Sequence, residues 1–178
     1  MSVSNHNSKT PLEHKDNWIT SDLAFKDALS LIGLERFDLD AAADIYNRKA
    51  VHYFSEERNS LECDWFGNAW CNPPFSLKKE FILKAHKEVL SGNANMVCMM
   101  IPFERATKWW RESIAKLATI VYVPDGRYAY IHPVTKKLMD QPKFASCFVV
   151  FTRFKVSEPA YVDFNRTMPV KKKKPPNR

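Results

Sequence analysis

The apolar residues of this chain recur with two spacings, one helical and one strand-like. In residues 21–32 they return every three or four positions, which places them on one face of a helix that Gly33 can end. Residues 76–91 show the same spacing, with Ser76 as the predicted helix cap. A further helical period covers residues 105–117. The pattern therefore predicts a helix in each of these segments.

Short apolar runs around these segments are typical of strands. We predict strands at residues 37–40, 51–54, 68–71, 96–101, 120–123 and 146–151. The run at 96–101 is apolar throughout, as expected for a strand buried on both faces. The run at 37–40 leads into the alanines at 41–43, which we expect to begin a helix. Strands separated by helices predict an α/β fold with a mainly parallel sheet, helices on both of its faces and an antiparallel strand near the end of the chain.

Length and composition indicate the extent of this fold. With 178 residues, 45% of them hydrophobic, the chain can bury one sizeable core. We predict one domain at residues 18–166, a flexible tail at residues 1–17 and a basic tail at residues 167–178. The longest apolar run, residues 94–103, has about half of the roughly 20 residues that a membrane-spanning helix needs. Since residues 1–17 also lack the apolar middle of a secretory signal, we expect no membrane partner and a cytoplasmic location.

The formal charge of +7 is concentrated at the end of the sequence. The lysines at 171–174 and Arg178 contribute five positive charges, so the rest of the chain carries only 7 − 5 = +2. This basic segment is either a solvated end or a loose arm that binds phosphates. The four cysteines form no C-x-x-C pair, so we expect neither a disulfide framework nor a metal site.

The stretch AWCNPPFS, residues 69–76, carries a chemical signal. Proline offers no N–H and drives the residue before it into an extended conformation. The run Asn72-Pro73-Pro74 therefore presents carbonyl oxygens and a side-chain oxygen with few donors, and Phe75 adds a flat apolar face. A planar group with an NH2 fits this corner, its hydrogens on the Asn72 oxygen and the Pro73 carbonyl and its ring on Phe75.

If that planar group is adenine, the corner can make its amine react. Acceptors placed for tetrahedral geometry draw the nitrogen lone pair out of the ring, and the nitrogen can then attack an electrophilic methyl group. Both hydrogen bonds strengthen as positive charge develops, which stabilises the transition state selectively. The alternative is that Asn-Pro only starts a turn.

Other motifs stand in a definite order around this corner. They are Trp18-Ile19-Thr20, Leu39-Asp40-Ala41-Ala42-Ala43, Asn59-Ser60-Leu61, Asp64-Trp65, Trp70-Cys71-Asn72-Pro73-Pro74-Phe75, Ile101-Pro102, Trp109-Trp110 and Gly126-Arg127. Together they resemble the phage-type, Dam-like DNA N6-adenine methyltransferases over about residues 18 to 151. The resemblance implies a single Rossmann-like class I methyltransferase domain, S-adenosyl-L-methionine as cofactor, double-stranded DNA as partner and no metal. A phage-encoded enzyme would act in the host cytoplasm.

The resemblance also implies which residues meet the cofactor. Asp40 would bind the methionine amino group, Thr20 would lie near the carboxylate, and the small Ala41 would let the backbone approach the ligand closely. Asp40 and Thr20 could instead be helix caps. Asp64 would accept from the adenine amine of the cofactor, or else simply start an exposed turn.

Two further assignments are less specific. Glu56 follows the second strand and could hold the ribose hydroxyls, although Glu57 or Asp44 could do so instead. Arg127 and Tyr128 are candidates for phosphate contact and base stacking, and Arg127 could equally be an ordinary solvent-facing arginine.

The sequence thus predicts a site-specific DNA adenine methyltransferase that extrudes its target base from the duplex. The family makes GATC the first candidate recognition sequence. Two alternatives remain open: methylation of an RNA base or a protein amide, and a non-catalytic DNA-binding protein with the same fold.

Overall fold

The computed structural model describes residues 16–139 and 144–168. The strands are β1 (Ile19–Thr20), β2 (Leu39–Asp40), β3 (His52–Tyr53), β4 (Gly67–Cys71), β5 (Ala94–Pro102), β6 (Ile120–Pro124), β7 (Tyr130–Ile131), β8 (Leu138–Met139), β9 (Ser146–Thr152) and β10 (Ala160–Phe164). The α-helices are α1 (Asp22–Ile32), α2 (Lys78–Ser91), α3 (Lys108–Glu112) and α4 (Ile114–Leu117), and single 3-10 turns lie at Glu56–Arg58 and Phe75–Leu77.

Seven of the described strands form one sheet in the order β10-β6-β9-β5-β4-β2-β3. Strand β9 is antiparallel to both of its neighbours, and all other adjacent strands are parallel. The prediction of a mainly parallel sheet with an antiparallel strand near the end is confirmed. Because β2, β3, β4, β5, β6 and β10 share one direction, their carboxyl ends lie at the same edge, where such sheets bind ligands. Strands β1, β7 and β8 form a separate antiparallel sheet.

Buried side chains of the large sheet belong to two hydrophobic clusters. In β5, Met99 lies in the cluster that contains Ile82 of α2, whereas the adjacent Met100 lies in the cluster that contains Ala28 of α1. Successive residues of a strand point to opposite faces of the sheet. The two clusters therefore lie on opposite sides of β5.

Helix α1 begins and ends as the sequence predicts. The Ser21 side chain accepts a hydrogen bond from the Ala24 N–H, and Gly33 adopts a φ of 70° that ends the helix. Both signals are local, so they can be read without knowledge of the rest of the fold.

Three local predictions are wrong. The alanines at 41–43 do not begin a helix, because the Asp40 carboxylate accepts from the backbone N–H groups of Ala42 and Lys49 and holds a loop around itself. The helix expected at 105–117 is divided into α3 and α4 at Ser113, whose hydroxyl donates to the Trp109 carbonyl. Leu77, not Ser76, occupies the N-cap position of α2.

Four short strands were missed, and two were predicted too long. Strands β1, β7, β8 and β10 lie outside the apolar runs, while β2 and β3 have only two residues each.

In the described part of the chain, no helix has both the length and the apolar composition needed to cross a bilayer.

The described residues reach slightly into both predicted tails. Asp16 bonds to Ser76, and Thr167 donates to Asp27 through both its N–H and its hydroxyl. Residues 1–15 and 169–178, including the lysines at 171–174, lie outside the described residues. The division into one domain and two tails stays a prediction.

Candidate active site

A cavity of about 470 Å³ lies at the carboxyl ends of β2 and β4. Most of its lining comes from four segments that are distant in sequence, within residues 16–20, 40–49, 54–61 and 70–77, and Phe81, Pro133 and Lys136 complete it. Six of the residues predicted from the sequence are among the lining residues: Thr20, Asp40, Ala41, Glu56, Asn72 and Pro74. The fold therefore brings the predicted cofactor residues and part of the NPPF corner into one space.

Asp40 is a buried carboxylate at the wall of this cavity. Its Oδ2 accepts from the Lys49 N–H at 2.8 Å, and its Oδ1 accepts from the Ala42 N–H at 3.3 Å. Burial raises the pKa of Asp40 to about 6, even though these hydrogen bonds favour the charged form. Asp40 caps no helix, because none of the described helices follows it directly. A bound cation would stabilise this carboxylate.

Thr20 belongs to β1 of the smaller sheet and lines the same cavity as Asp40. It pairs with Tyr130 of β7, it is buried, and it lines the cavity. The alternative role as the cap of α1 is wrong, since Ser21 caps that helix.

The three acids considered for the ribose differ in their surroundings. Glu56 is exposed in a 3-10 turn and lines the cavity. The Asp44 carboxylate also lines it, but Asp44 already accepts from the backbone N–H groups of Tyr46 and Asn47. Glu57 is not among the lining residues. Position thus favours Glu56 among the three.

The side-chain amide of Asn72 is hydrogen-bonded at its nitrogen but not at its oxygen. Its Nδ2 donates to the Trp18 carbonyl oxygen at 2.9 Å. Its Oδ1 is buried and has no hydrogen-bond partner among the described residues. A buried polar atom without a partner costs free energy, so its retention calls for an explanation. A donor supplied by a ligand would satisfy it.

The other two residues of the corner lie outside the cavity lining. Pro73 is buried, and Phe75 opens the 3-10 turn, where its ring meets Phe144 edge-on at 5.3 Å. The lining part of the corner consists of Asn72 and Pro74.

The chain matches a known protein family over most of its length. A family described as "DNA N-6-adenine-methyltransferase (Dam)" matches residues 7–173 of the chain. The chain belongs to the Dam family. The resemblance to phage-type Dam-like enzymes is thereby confirmed.

Two phage members of the Dam family show the extent of the similarity. A protein of Haemophilus phage HP1 (strain HP1c1), named DNA N-6-adenine-methyltransferase, is 31% identical over 145 residues, which cover 81% of this chain and 83% of the relative. A protein of Escherichia phage T1 with the same name is 29% identical over 139 residues, covering 69% of this chain and 58% of that relative. The chain thus spans just over half the length of the T1 protein.

In this Dam-family chain, Asp64 is not brought to the cavity with Asp40. It lines a different depression that includes Val51 and Phe66. The next residue, Trp65, is fully buried, with its N–H bound to Glu88, and this contact holds the turn away from the cavity. The structure therefore gives no support to a contact between Asp64 and the cofactor.

The structure also does not support base stacking by Tyr128. Its ring is buried against Phe148, and its hydroxyl donates to Asp27 at 2.5 Å. Arg127 is exposed, does not line the cavity, and uses its carbonyl to accept from Arg166. The phosphate contact of Arg127 stays a prediction.

The sequence analysis assigned no site role to several residues that line the cavity of this Dam-family chain. Lys49 donates its N–H to Asp40, while its Nζ lies 2.8 Å from the Asp22 carboxylate. Asp16 and Trp18 contact the corner through bonds that span more than fifty positions in sequence. No periodicity or spacing marks such contacts. Within the ranges that the structure covers, no group of His, Cys, Asp or Glu side chains is arranged to hold a metal ion.

Proposed function

We propose that this Dam-family protein is an S-adenosyl-L-methionine-dependent DNA adenine N6-methyltransferase, built as one Rossmann-like class I domain with helices on both faces of its sheet. The observation that carries the proposal is the Asn72 amide. It holds an unsatisfied acceptor, in a cavity that also contains the buried Asp40 carboxylate. The names of the two phage relatives support the same reaction.

The residues around Asp40 fit the cofactor. The carboxylate offers a buried negative charge for the methionine ammonium, and the Thr20 hydroxyl is available to the carboxylate of the same group. The exposed Glu56 side chain can accept from ribose hydroxyls. When bound, S-adenosyl-L-methionine supplies a methyl group on a sulfonium sulfur, which is open to direct attack.

The residues around Asn72 fit an amino group. One hydrogen of the adenine amine would bind the Asn72 Oδ1, and the other would bind the carbonyl of Pro73, which lies between the lining residues Asn72 and Pro74 but does not itself line the cavity. As the nitrogen gains positive charge, both bonds strengthen, so the corner stabilises the transition state more than the ground state. A general base is not required, because the methylated amine loses its extra proton readily.

The target base must leave the duplex to reach this cavity. Lys136, in the connection between β7 and β8, lines the cavity and is exposed. This connection and Arg127 are therefore the proposed phosphate contacts, and GATC is the first candidate site.

Parallel methyl-transfer assays test the proposal. The protein is incubated with radiolabelled S-adenosyl-L-methionine and with duplex DNA, RNA or protein, and GATC duplexes are compared with duplexes of scrambled sequence. We expect label on adenine N6 in DNA, and a preference for GATC if that site is right. Label on RNA or protein alone would overturn the DNA substrate. DNA binding without transfer to any of the three would indicate a non-catalytic binding protein.

A further inference from the structure

The segment Asp16 to Thr20, here named the N-terminal strap, runs along the cavity. All of its residues line the cavity. Its carboxyl-terminal end is held by β1, where Ile19 and Thr20 pair with β7. Its amino-terminal end is held by Asp16, whose carboxylate accepts from the Ser76 N–H at 2.9 Å and from the Ser76 hydroxyl at 2.5 Å. The strap is thus held by the smaller sheet at one end and by Ser76, directly after the NPPF corner, at the other.

Between these two ties, the strap determines how the Asn72 amide is turned. A primary amide has a donor end and an acceptor end of nearly equal shape. The Trp18 carbonyl can only accept, so it binds the Nδ2 end of Asn72 and leaves the Oδ1 end as an acceptor. A flipped amide would place two acceptors against each other at the strap and would offer a donor to the incoming amine.

We propose that the N-terminal strap orients Asn72 for methyl transfer, with Asp16 and Ser76 as positioning residues and the Trp18 carbonyl as the group that selects the amide orientation. This inference rests on the proposed function. Asp16 and Ser76 do not touch the reacting atoms; they hold the strap against the corner, and the strap acts through Asn72.

The strap also connects the two halves of the cavity. Thr20, proposed to lie at the cofactor carboxylate, is two residues from Trp18, a distance of about 7 Å along an extended chain. A cofactor that orders Thr20 therefore also orders the Trp18 carbonyl. Cofactor binding is expected to fix the Asn72 amide before the target base arrives.

Kinetic comparison of strap variants tests the proposal. Asp16→Ala and Ser76→Ala should lower kcat on DNA about tenfold, a fraction of the loss expected when an oriented transition-state dipole is removed entirely. The affinity for S-adenosyl-L-homocysteine, measured by calorimetry, should fall by a smaller factor than kcat, because Asp40 is untouched and only the coupling through Thr20 is weakened. Asp16→Asn keeps one acceptor oxygen and should recover part of kcat. The matched control is Glu80→Ala, which removes an exposed carboxylate from the first turn of α2 and should leave kcat unchanged.

A second measurement does not depend on methyl transfer. In nitrogen-15 NMR spectra, the Asn72 side-chain NH2 should exchange its protons with water more slowly in the wild-type protein than in Asp16→Ala, and more slowly still with S-adenosyl-L-homocysteine bound. An unchanged exchange rate together with an unchanged kcat in Asp16→Ala would overturn the role of the strap. If the wild-type protein methylates no DNA, the proposed function fails, and the exchange rates alone decide whether the strap orients Asn72.

Discussion

At the level of single residues, the buried Asp40 and the half-buried Asn72 define the cavity chemically, because each lacks a partner of a particular kind. Burial raises the pKa of the Asp40 carboxyl group, so a cation beside it would stabilise its charged form. Asn72 holds an acceptor that no described donor satisfies, so it favours an N–H or O–H. A molecule with an ammonium group at one site and a substrate with an amine at the other would satisfy both.

The pKa of Asp40 leads to a prediction about pH. Since that pKa is raised to about 6, the carboxyl group is neutral below this pH and charged above it. Affinity for S-adenosyl-L-homocysteine, whose ammonium group binds the charged form, should therefore fall as the pH drops through about 6, by up to tenfold per pH unit. Calorimetric titration between about pH 5 and about pH 8 measures this.

The variant Asp40→Asn provides the control for this pH dependence. It should bind more weakly at neutral pH and lose the slope near pH 6. Because the folded state binds this proton more tightly than the unfolded state, the wild type without ligand should lose stability as the pH rises from the ordinary pKa of 3.8 to about 6, and Asp40→Asn should lack this pH-dependent loss. A full pH slope in Asp40→Asn would assign the titration to another group.

Asn72→Ala removes the acceptor itself. We expect kcat to fall about 10²- to 10³-fold, or ~2.7–4 kcal/mol of transition-state stabilisation, as for other preorganised dipoles. Affinity for the cofactor product should change little, since Asn72 is assigned to the target amine. Single-turnover methylation and calorimetry on the same preparation separate the two effects, and equal losses in both would contradict this assignment.

At the level of elements, α2 is fixed to the loop before β4 by Glu88, which also belongs to a buried ion pair within the helix. Lys84 Nζ lies 2.5 Å from Glu88 Oε1, and both side chains are buried. The other Glu88 oxygen accepts from the Trp65 N–H and from Asn93. Burial opposes the charge of Glu88, but these hydrogen bonds prevail and hold its pKa below the ordinary value. Glu88 thus anchors the turn that precedes β4, the strand that leads into Asn72.

Removing one member of this pair should destabilise the protein strongly. Glu88→Ala leaves a buried ammonium without a partner and should cost about 3–5 kcal/mol in the free energy of unfolding. The exposed pair Lys108–Glu112 has the same i,i+4 spacing, so Glu112→Ala is a matched control that should cost less than about 1 kcal/mol. Urea denaturation of the two variants tests the contrast, and similar losses in both would show that burial does not set the strength of the pair.

At the level of the whole molecule, the sequence was informative wherever a signal is local. The caps of α1, the buried strand β5 and the donor-poor corner at Asn72 all follow from neighbouring residues. The failures involve contacts between distant residues. Residues 41–43 form a loop because Lys49 bonds to Asp40, and Tyr128 is buried because Asp27, about a hundred positions away, accepts its hydroxyl. The orientation of Asn72 depends on a backbone carbonyl, which no residue type reveals.

The last described strand ends at the same edge of the sheet as β4. Strand β10 is parallel to β6 and therefore shares the direction of β4, so Phe164, the last residue of β10, lies at the same edge as Asn72, which follows β4. Thr167 is fixed by its two hydrogen bonds to Asp27. The basic residues at 171–174 and 178 begin only a few positions later. The two roles considered from the sequence, an arm that binds phosphates and a solvated end, can be separated by experiment.

Deletion of residues 169–178 tests that choice, because it removes five positive charges and none of the described residues that line the cavity. Each phosphate contact contributes about 0.9 to the slope of log affinity against log salt concentration, so a DNA-binding arm predicts that the slope for duplex DNA decreases by up to about 4.5. The value of kcat at saturating DNA should be unchanged, since Asn72 and the N-terminal strap remain in place. Replacing the four lysines by glutamine in the full-length chain separates charge from length: because Arg178 remains, it should reproduce most of the change in slope, and a slope equal to that of wild type would show that these lysines do not contact DNA.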